Sequence, residues 1–396
     1  MKNKYGWDIR KLGDFIEQVR GVSYKPSDLS SELSEEYIPL LRANNIQDEL
    51  HFNDMQFVSS TKVSKKQLLK SGDILICTSS GSKHLVGKAA QVKADYKITF
   101  GAFCKIIRPI NLDSRFLGHY FKSNLYRNII SDLSRGANIN NIKNEDIDSL
   151  KIPIPPLPAQ HQIVSELDAL SDIITKKKQQ LEELDTLAQA TFYDMFGDPV
   201  NNEKDWEVDS INNISKIRIG PFGSLLHVED YIVNGTPLVN PSHMSNGMII
   251  PDYNLTVSSE KIKELSSYLL KEGDLIVGRR GDIGRCALVT EKEDGFICGT
   301  GSLYIRFNSK INPIYALKTF SSKSMVLKLQ EKAKGATMLN INAGSVGSLP
   351  FPIPPLKLQN KFIQKIESIE KQKKLISKSI DDVQQLFDYT MDKYFN

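Results

Sequence analysis

The chain is poor in the features that mark several protein classes. Cysteine occurs only as Cys77, Cys104, Cys286 and Cys298, with no CxxC pair. That spacing argues against a disulfide framework or a zinc site and fits reduced thiols in a cytoplasmic protein. The six histidines, at 51, 84, 119, 161, 227 and 243, show no metal-ligand spacing. No run approaches the roughly 20 apolar residues that cross a bilayer, and the opening MKNKYGWDIRK has no apolar signal core, so no membrane association is expected. The net charge is only +4, which tolerates a nucleic-acid partner without requiring one.

Catalytic motifs are lacking too. GSKHLVGK at 81–88 resembles a phosphate loop, but five residues separate its glycines and Ala89 stands where Ser or Thr would bind magnesium. CGTGSLY at 298–304 resembles the glycine-rich loop that holds S-adenosylmethionine, yet no Asn-Pro-Pro-Tyr or Asp-Pro-Pro-Tyr accompanies it. No Ser/His/Asp arrangement stands out. The expectation is a chain that is not itself an enzyme and holds no metal or cofactor.

What is present is a repeat. LKIPIPPLPAQHQIV at 150–164 is answered by LPFPIPPLKLQNKFI at 349–363, and Ile154 to Ile353, Pro155 to Pro354 and Gln160 to Gln359 are each 199 residues apart. Trp7 and Trp206 keep the same interval; SGDILIC at 71–77 matches EGDLIVG at 272–278, and SRGANINNI at 134–142 matches AKGATMLNI at 333–341. Two copies in 396 residues indicate a pseudo-dimer in one chain rather than a solenoid. In each half, strand-like runs (DILIC, FCKII, DLIVG, SLYIRF) alternate with the helical stretches FLGHYFKSNLYRNIISDL and IYALKTFSSKSMVLKLQEKA, which gives an α+β fold.

A long helix follows each proline run. One apolar seam passes through Ile163, Leu167, Leu170, Ile174, Leu181, Leu184, Ala188 and Met195, the other through Phe362, Ile366, Ile369, Ile376, Ile380, Val383, Phe387 and Tyr394. Four-and-three spacing over several heptads is a coiled-coil signature, although an amphipathic helix lying on its own domain has the same pattern. Pro153, Pro155, Pro156 and Pro158 hold the preceding backbone extended, and Pro158 suits a first helical turn. A helix from about residue 158 to 196 is on the order of 58 Å long, whereas the connector to Trp206 reaches at most about 35 Å. An antiparallel pair follows, with Phe395 returning near Met1 in a circular arrangement. Lys177 and Lys373 interrupt the seams, either setting register or snorkelling to solvent.

The loops carry residues suited to DNA. The first half offers Lys83, His84, Lys88, Arg135, Asn138 and Asn141; the second offers Arg279, Arg280, Arg285, Lys334, Asn340 and Asn342. Arg and Lys bond guanine edges or phosphates, and Asn reads adenine bidentately. Any one of them alone also fits a solvated turn. The positions match between halves while the residues differ, as expected of one architecture reading two sequences.

The proline run with AQ or LQ and a long helix, the TFYDMFGDP ending of the first helix, and the Trp-led domain starts resemble the specificity subunit of type I restriction–modification systems. The second copy departs slightly, with Lys357 and Asn360 for Pro158 and His161 and an ending at YFN. The resemblance implies two pseudo-two-fold-related target-recognition domains, at 1–152 and 198–351. Each is followed by a hinge and long helix (conserved regions, 153–197 and 352–396), and the helices form an antiparallel coiled coil. It further implies that each domain reads one half of a bipartite site in double-stranded DNA and that the coiled coil sets the spacer. The implied partners are two adenine methyltransferase subunits and ATP-dependent restriction subunits, which would carry S-adenosylmethionine and ATP. Two other readings stay open: a two-headed coiled-coil adaptor that binds proteins, and a methyltransferase with a divergent pocket at Gly299–Gly301.

Overall fold

The computed structural model describes residues 2–82, 85–135, 141–222, 225–335 and 339–395, without the side chains of Ser134 and Arg135. The chain divides into two compact units, residues 1–179 with 377–396, and residues 180–376. The division falls inside both long helices, Leu157–Phe196 and Leu356–Phe395, so each helix contributes part of itself to each unit.

The first unit is organised around SGDILIC. Gly72 turns the chain at φ +87°, a conformation that glycine adopts without strain. Asp73 then fixes the turn, accepting from the Lys70 amide at 2.9 Å. Its two carboxylate oxygens also take Arg108 Nε and Nη2, each at 2.8 Å. Bidentate pairing of this kind is strong, and the bond to Asp73 raises the Arg108 pKa above its ordinary value. Strand Ile74–Cys77 is buried along its length and lies between Cys104–Pro109 and Ala89–Gln91, with Ile16–Arg20 completing an antiparallel sheet. A second sheet orders Leu29–Ser30, Gln56–Ser59, Tyr37–Leu41 and Thr99–Phe100, the last pair parallel. The stretch FLGHYFKSNLYRNIISDL is two helices, Ser114–Lys122 and Asn124–Arg135. Ser123 breaks it, its Oγ donating to the Tyr120 carbonyl at 2.6 Å and accepting from the Tyr126 amide at 3.2 Å.

The second unit repeats this plan. Gly273 turns at φ +85°, Asp274 accepts from Arg306 Nε and Nη2 at 2.7 and 2.6 Å, and Leu275–Gly278 takes the central place in the equivalent sheet. Helices Pro313–Phe320 and Lys323–Lys332 are broken at the serine pair Ser321–Ser322. The α+β expectation holds in both halves.

The proline runs are built into the domains rather than free. Pro153 sits in strand Lys151–Ile154, opposite Ile9 of Asp8–Lys11, and Pro350–Pro352 pairs with Val208–Ser210. Such two-stranded ribbons accommodate a residue that cannot donate. The first helix starts at Leu157, which places Pro158 in its first turn. Three residues into the first helix, Gln160 is 2% exposed, and its counterpart Gln359 is fully buried. Gln160 Oε1 accepts from the Asp113 amide at 2.9 Å and its Nε2 donates to the Pro155 carbonyl at 2.8 Å. Gln359 repeats the pattern with the Asn312 amide at 2.8 Å, the Pro354 carbonyl at 2.8 Å and the Lys310 carbonyl at 3.0 Å. Tyr120 and Tyr315 add bonds from their hydroxyls to the Lys151 and Pro352 carbonyls. Each long helix is thereby locked to the domain before it.

The helices also pair with each other. In the second unit Phe192 and Phe196 meet Phe362 at ring-centroid distances of 5.7 and 5.2 Å, and Asp185 meets Lys373 at 2.7 Å. Rising numbers on one helix against falling numbers on the other make the pair antiparallel. In the first unit Tyr394 donates to Glu166 Oε2 at 2.6 Å, and Trp7 stacks on Tyr394 at 6.3 Å. The start and end of the chain therefore meet. Among the seam residues, Ile163, Leu167, Ile174, Ala188, Phe362, Ile366, Ile369 and Tyr394 are buried. Leu170, Leu181, Leu184, Met195, Ile376, Ile380, Val383 and Phe387 are half-buried. The deeper positions at the helix starts pack on the preceding domain as well as on the partner helix, so the two alternatives for the seam describe different stretches of it. Lys373 bonds across to Asp185, and Lys177 is half-buried.

Gln359→Leu should destabilise the second unit by about 3 kcal/mol, because two carbonyls and one amide are left unpaired in the interior. Urea unfolding followed by near-ultraviolet circular dichroism checks this; a loss below about 0.5 kcal/mol would place the junction's strength elsewhere.

Candidate nucleic-acid interface

At the end of strand Ile74–Cys77 a loop runs to Gly87, and at the end of Leu275–Gly278 a shorter one runs to Gly284. Both glycines take positive φ, +80° and +88°, to return the chain to its own strand. Gly87 N donates to the Cys77 carbonyl and Gly284 N to that of Gly278. A second loop is stitched to the first in each unit. Ile142 N donates to the Thr78 carbonyl at 2.8 Å, and Ile341 N to that of Arg279 at 3.0 Å. Bridges Ser79 to Asn141 and Arg280 to Asn340 extend the joins. Each unit thus presents one edge made from two loops.

Close backbone crossings support that edge. Gly21 lies against Gly101 and Gly220 against Gly299 with no room for a Cβ on Gly21 or Gly220. This explains a glycine in GVS and its counterpart in GPF, which the sequence alone left unexplained.

The candidate residues divide by placement. In the first unit Asn141 is exposed on the edge and Lys88 is half-buried. Lys83, His84, Asn138 and the Arg135 side chain lie outside the described residues. In the second unit Arg280 and Lys334 are exposed, and Asn340, half-buried, exchanges backbone bonds with Lys334 at 2.9 Å. These three are brought together. Arg279 is placed otherwise, at 7% exposed, its Nη1 donating to the Thr300 carbonyl at 3.1 Å. Burial, with the charge of Arg280 beside it, pulls its pKa below the ordinary arginine range. This guanidinium lies against the turn's own backbone, whereas Arg280 beside it is exposed. Arg285 is exposed but paired with Asp282, and its Nη1 donates to the Met244 carbonyl at 3.2 Å. Asn342 is exposed, but its Oδ1 caps the helix Ala343–Gly347 by accepting from the Ser345 amide at 2.8 Å.

Beneath the first unit's edge lies a polar network. Lys105 is 5% exposed, and its Nζ donates to Gln18 Oε1 at 2.9 Å and Asn144 Oδ1 at 2.6 Å. Gln18 Nε2 donates in turn to Asp148 Oδ1 at 2.6 Å. Burial pulls the Lys105 pKa below its ordinary value. Strand register places Ile217 and Leu303 at the positions of Gln18 and Lys105 in the second unit, and Ala343 opens the helix that Asn144 opens in the first. The network is therefore replaced there by apolar packing. A lone lysine inside FCKII was the only sign of it in the sequence.

His119 and the four cysteines are packed into the structure. In the first unit His119 Nε2 lies 2.8 Å from Asp168 Oδ1, tying a domain helix to the central helix. Burial lowers the His119 pKa, and the bond to Asp168 opposes that. All four cysteines are buried free thiols, and burial pushes Cys77 and Cys286 up to about 11. A thiol so shifted is a poor nucleophile. Among the described residues no group of three His, Cys, Asp or Glu is placed to hold a metal ion.

The matched two-loop edges are duplicated in a way that comparison with known proteins explains. A family model described as the type I restriction modification DNA specificity domain matches twice, over residues 4–185 and 203–385. The chain belongs to the type I restriction–modification specificity family. Two relatives in this family, the EcoKI specificity subunit of Escherichia coli K12 and the StySPI specificity subunit of Salmonella potsdam, are each 30% identical to it. Both alignments cover 95% of this chain and 85% of the relative. A solved chain from a study of assembly and conformational transition of the type I R-M system shares the fold at TM-score 0.65 and 17% identity, covering 100% of this chain and 98% of that one. The S subunit from M. genitalium aligns at TM-score 0.53 and 15% identity with the same coverage. The family is one of non-catalytic specificity subunits, in keeping with a chain read as having no catalytic motif.

Lys105→Leu alone should cost the first unit about 2–4 kcal/mol, since Gln18 and Asn144 lose their buried donor. Adding Gln18→Ile and Asn144→Ala, which recreates the second unit's packing, should recover the loss to within about 1 kcal/mol. Denaturant titration of the three-substitution chain against the single variant decides it.

Proposed function

We propose that this chain is the sequence-reading subunit of a type I restriction–modification complex, acting on double-stranded DNA without catalysing the reaction. The carrying observation is the doubled two-loop edge, stitched by the same backbone bonds but different in loop length and side chains, in a chain matched twice by a DNA specificity family. Recognition domains at 1–152 and 198–351 each read one half of a split site, and the paired helices set the unread spacer. Arg280, Lys334 and Asn340 serve the second half-site, Lys88 and Asn141 the first, with phosphate contacts positioning and edge contacts specifying. Two adenine methyltransferase subunits dock on the chain and bring S-adenosylmethionine; restriction subunits bring ATP. No helix among the described residues is long and apolar enough to cross a membrane, and we place the complex in the cytoplasm with its DNA substrate. A two-headed protein adaptor would need neither the cationic edge nor the duplicated DNA specificity domain.

DNA incubated with this chain and its methyltransferase subunits, then sequenced for methylated adenine, should show two short specified segments separated by a fixed unspecified gap. The chain alone should methylate nothing, and affinity of the complex should fall steeply with salt. A continuous motif, or methylation without sequence preference, contradicts the proposal.

A further inference from the structure

Among the described residues, the edge of the first unit carries small and polar residues, Ser79, Ser80, Gly81 and Ser82 on one loop, with Thr78 buried at its start, and Asn141 on the other. Phe103 stands apart from them. It lies on the turn between strands Thr99–Phe100 and Cys104–Pro109, and it is 68% exposed. Single exposed apolar residues are common on protein surfaces and need no explanation of themselves. The placement of this one does.

Its backbone is held on several sides. The Phe103 carbonyl accepts from the Thr78 amide at 2.9 Å, the Ser79 amide at 3.1 Å and the Thr78 hydroxyl at 3.1 Å. Gly101 N donates to the Leu41 carbonyl and Cys104 N to that of Gly101, both at 2.9 Å. The crossing with Gly21 closes the turn from below. The ring is thus carried into solvent on a rigid support, bonded directly to the loop residue Ser79 that bridges to Asn141. Rigid support for an exposed aromatic is what a preorganised contact residue requires.

The second unit differs at this point. Cys77 pairs with Cys104 and Gly278 with Ser302, so Phe103 and Gly301 occupy the same place before their strands. The Arg279 amide donates to the Gly301 carbonyl as the Thr78 amide does to that of Phe103. There the side chain is absent and a buried guanidinium braces the turn. The scaffold is preserved while the presented chemistry changes from a phenyl ring to none, as befits a position that distinguishes two half-sites.

We infer that Phe103 is a specificity-determining residue of the first recognition domain, packing its ring against the C5-methyl of a thymine in the major groove beside an adenine read by Asn141. The chemistry favours this pairing: Asn matches the adenine edge with two hydrogen bonds, and an apolar side chain matches the thymine methyl. The inference rests on the DNA-reading function proposed above and adds which base and which group.

The test uses the full chain reconstituted with its methyltransferase subunits, on a duplex carrying its mapped site and on duplexes with deoxyuridine replacing each thymine of the first half-site in turn. Wild type should bind one deoxyuridine duplex about three- to tenfold more weakly than the thymine duplex, the scale of one apolar contact. Phe103→Ala should bind the thymine duplex more weakly by the same factor and lose that discrimination, whereas Phe103→Leu should retain most of it. Preferences in the second half-site should stay unchanged in both. Equal thymine and deoxyuridine binding by wild type, or a Phe103→Ala loss that is uniform across sequences, overturns the inference. Asn141→Ala separates the two levels. If Asn141→Ala alters the first half-site and Phe103→Ala does not, only this inference fails. If neither alters it, DNA reading by this edge fails as well.

Discussion

The buried glutamine after each proline run is the contact on which the arrangement turns. A long helix leaving a domain through residues that lack N–H groups has few ways to be held at a fixed angle. Gln160 and Gln359 supply one, each bonding back to a proline carbonyl and forward to the amide that opens a domain helix. Both lie in the interior, where an unmade bond is costly, so the geometry is strongly determined. The direction in which each helix leaves its domain is fixed by that bond network, and with it the face that meets the opposing helix.

The two halves also show which parts of a recognition domain are free to vary. The Asp73 and Asp274 pairs with arginine, the glycine crossings and the glutamines recur with little change, whereas the tyrosine bonds come from different helix positions, Tyr120 and Tyr315. The differences at the edge and just beneath it are Phe103 against Gly301, Thr78 against Arg279, and a lysine-centred polar network against Ile217, Leu303 and Ala343, while the hairpin Met244–Ile249 and helix Ser259–Glu264 of the second unit lie elsewhere. Divergence at the edge of a shared sheet scaffold lets a repeated domain present two different surfaces without two folds.

Much of this was legible in the sequence because the repeat read it twice. The 199-residue interval marks Gln160 and Gln359, the GD turns and the two seams in the sequence itself, and four-and-three spacing indicates the helix pairing. The site was less legible, for physical reasons. Arg279 sits in GRRGDIGR beside Arg280 and looks the same, but the turn after strand Leu275–Gly278 places one inward onto carbonyls and leaves the other in solvent. Asn342 reads as a base-reading residue in the sequence, where nothing signals that its Oδ1 also caps the short helix after it. Phe103 was hidden in an apolar strand run, FCKII, where only the turn's hydrogen bonds reveal that its side chain lies outside the sheet. The start of the first proline run is also paired: Pro153 lies in strand Lys151–Ile154 while Pro155 and Pro156 follow it, and edge pairing tolerates proline in a way that composition alone does not disclose.

The central claim is that each half of the chain reads its own half of one DNA site. Exchanging residues 1–152 for the corresponding domain of another family member, and sequencing the adenines methylated by the resulting complex, tests it most directly. The account predicts a new first half-site with the second half-site and the spacer unchanged. An unchanged site, or simultaneous change in both halves, would contradict it.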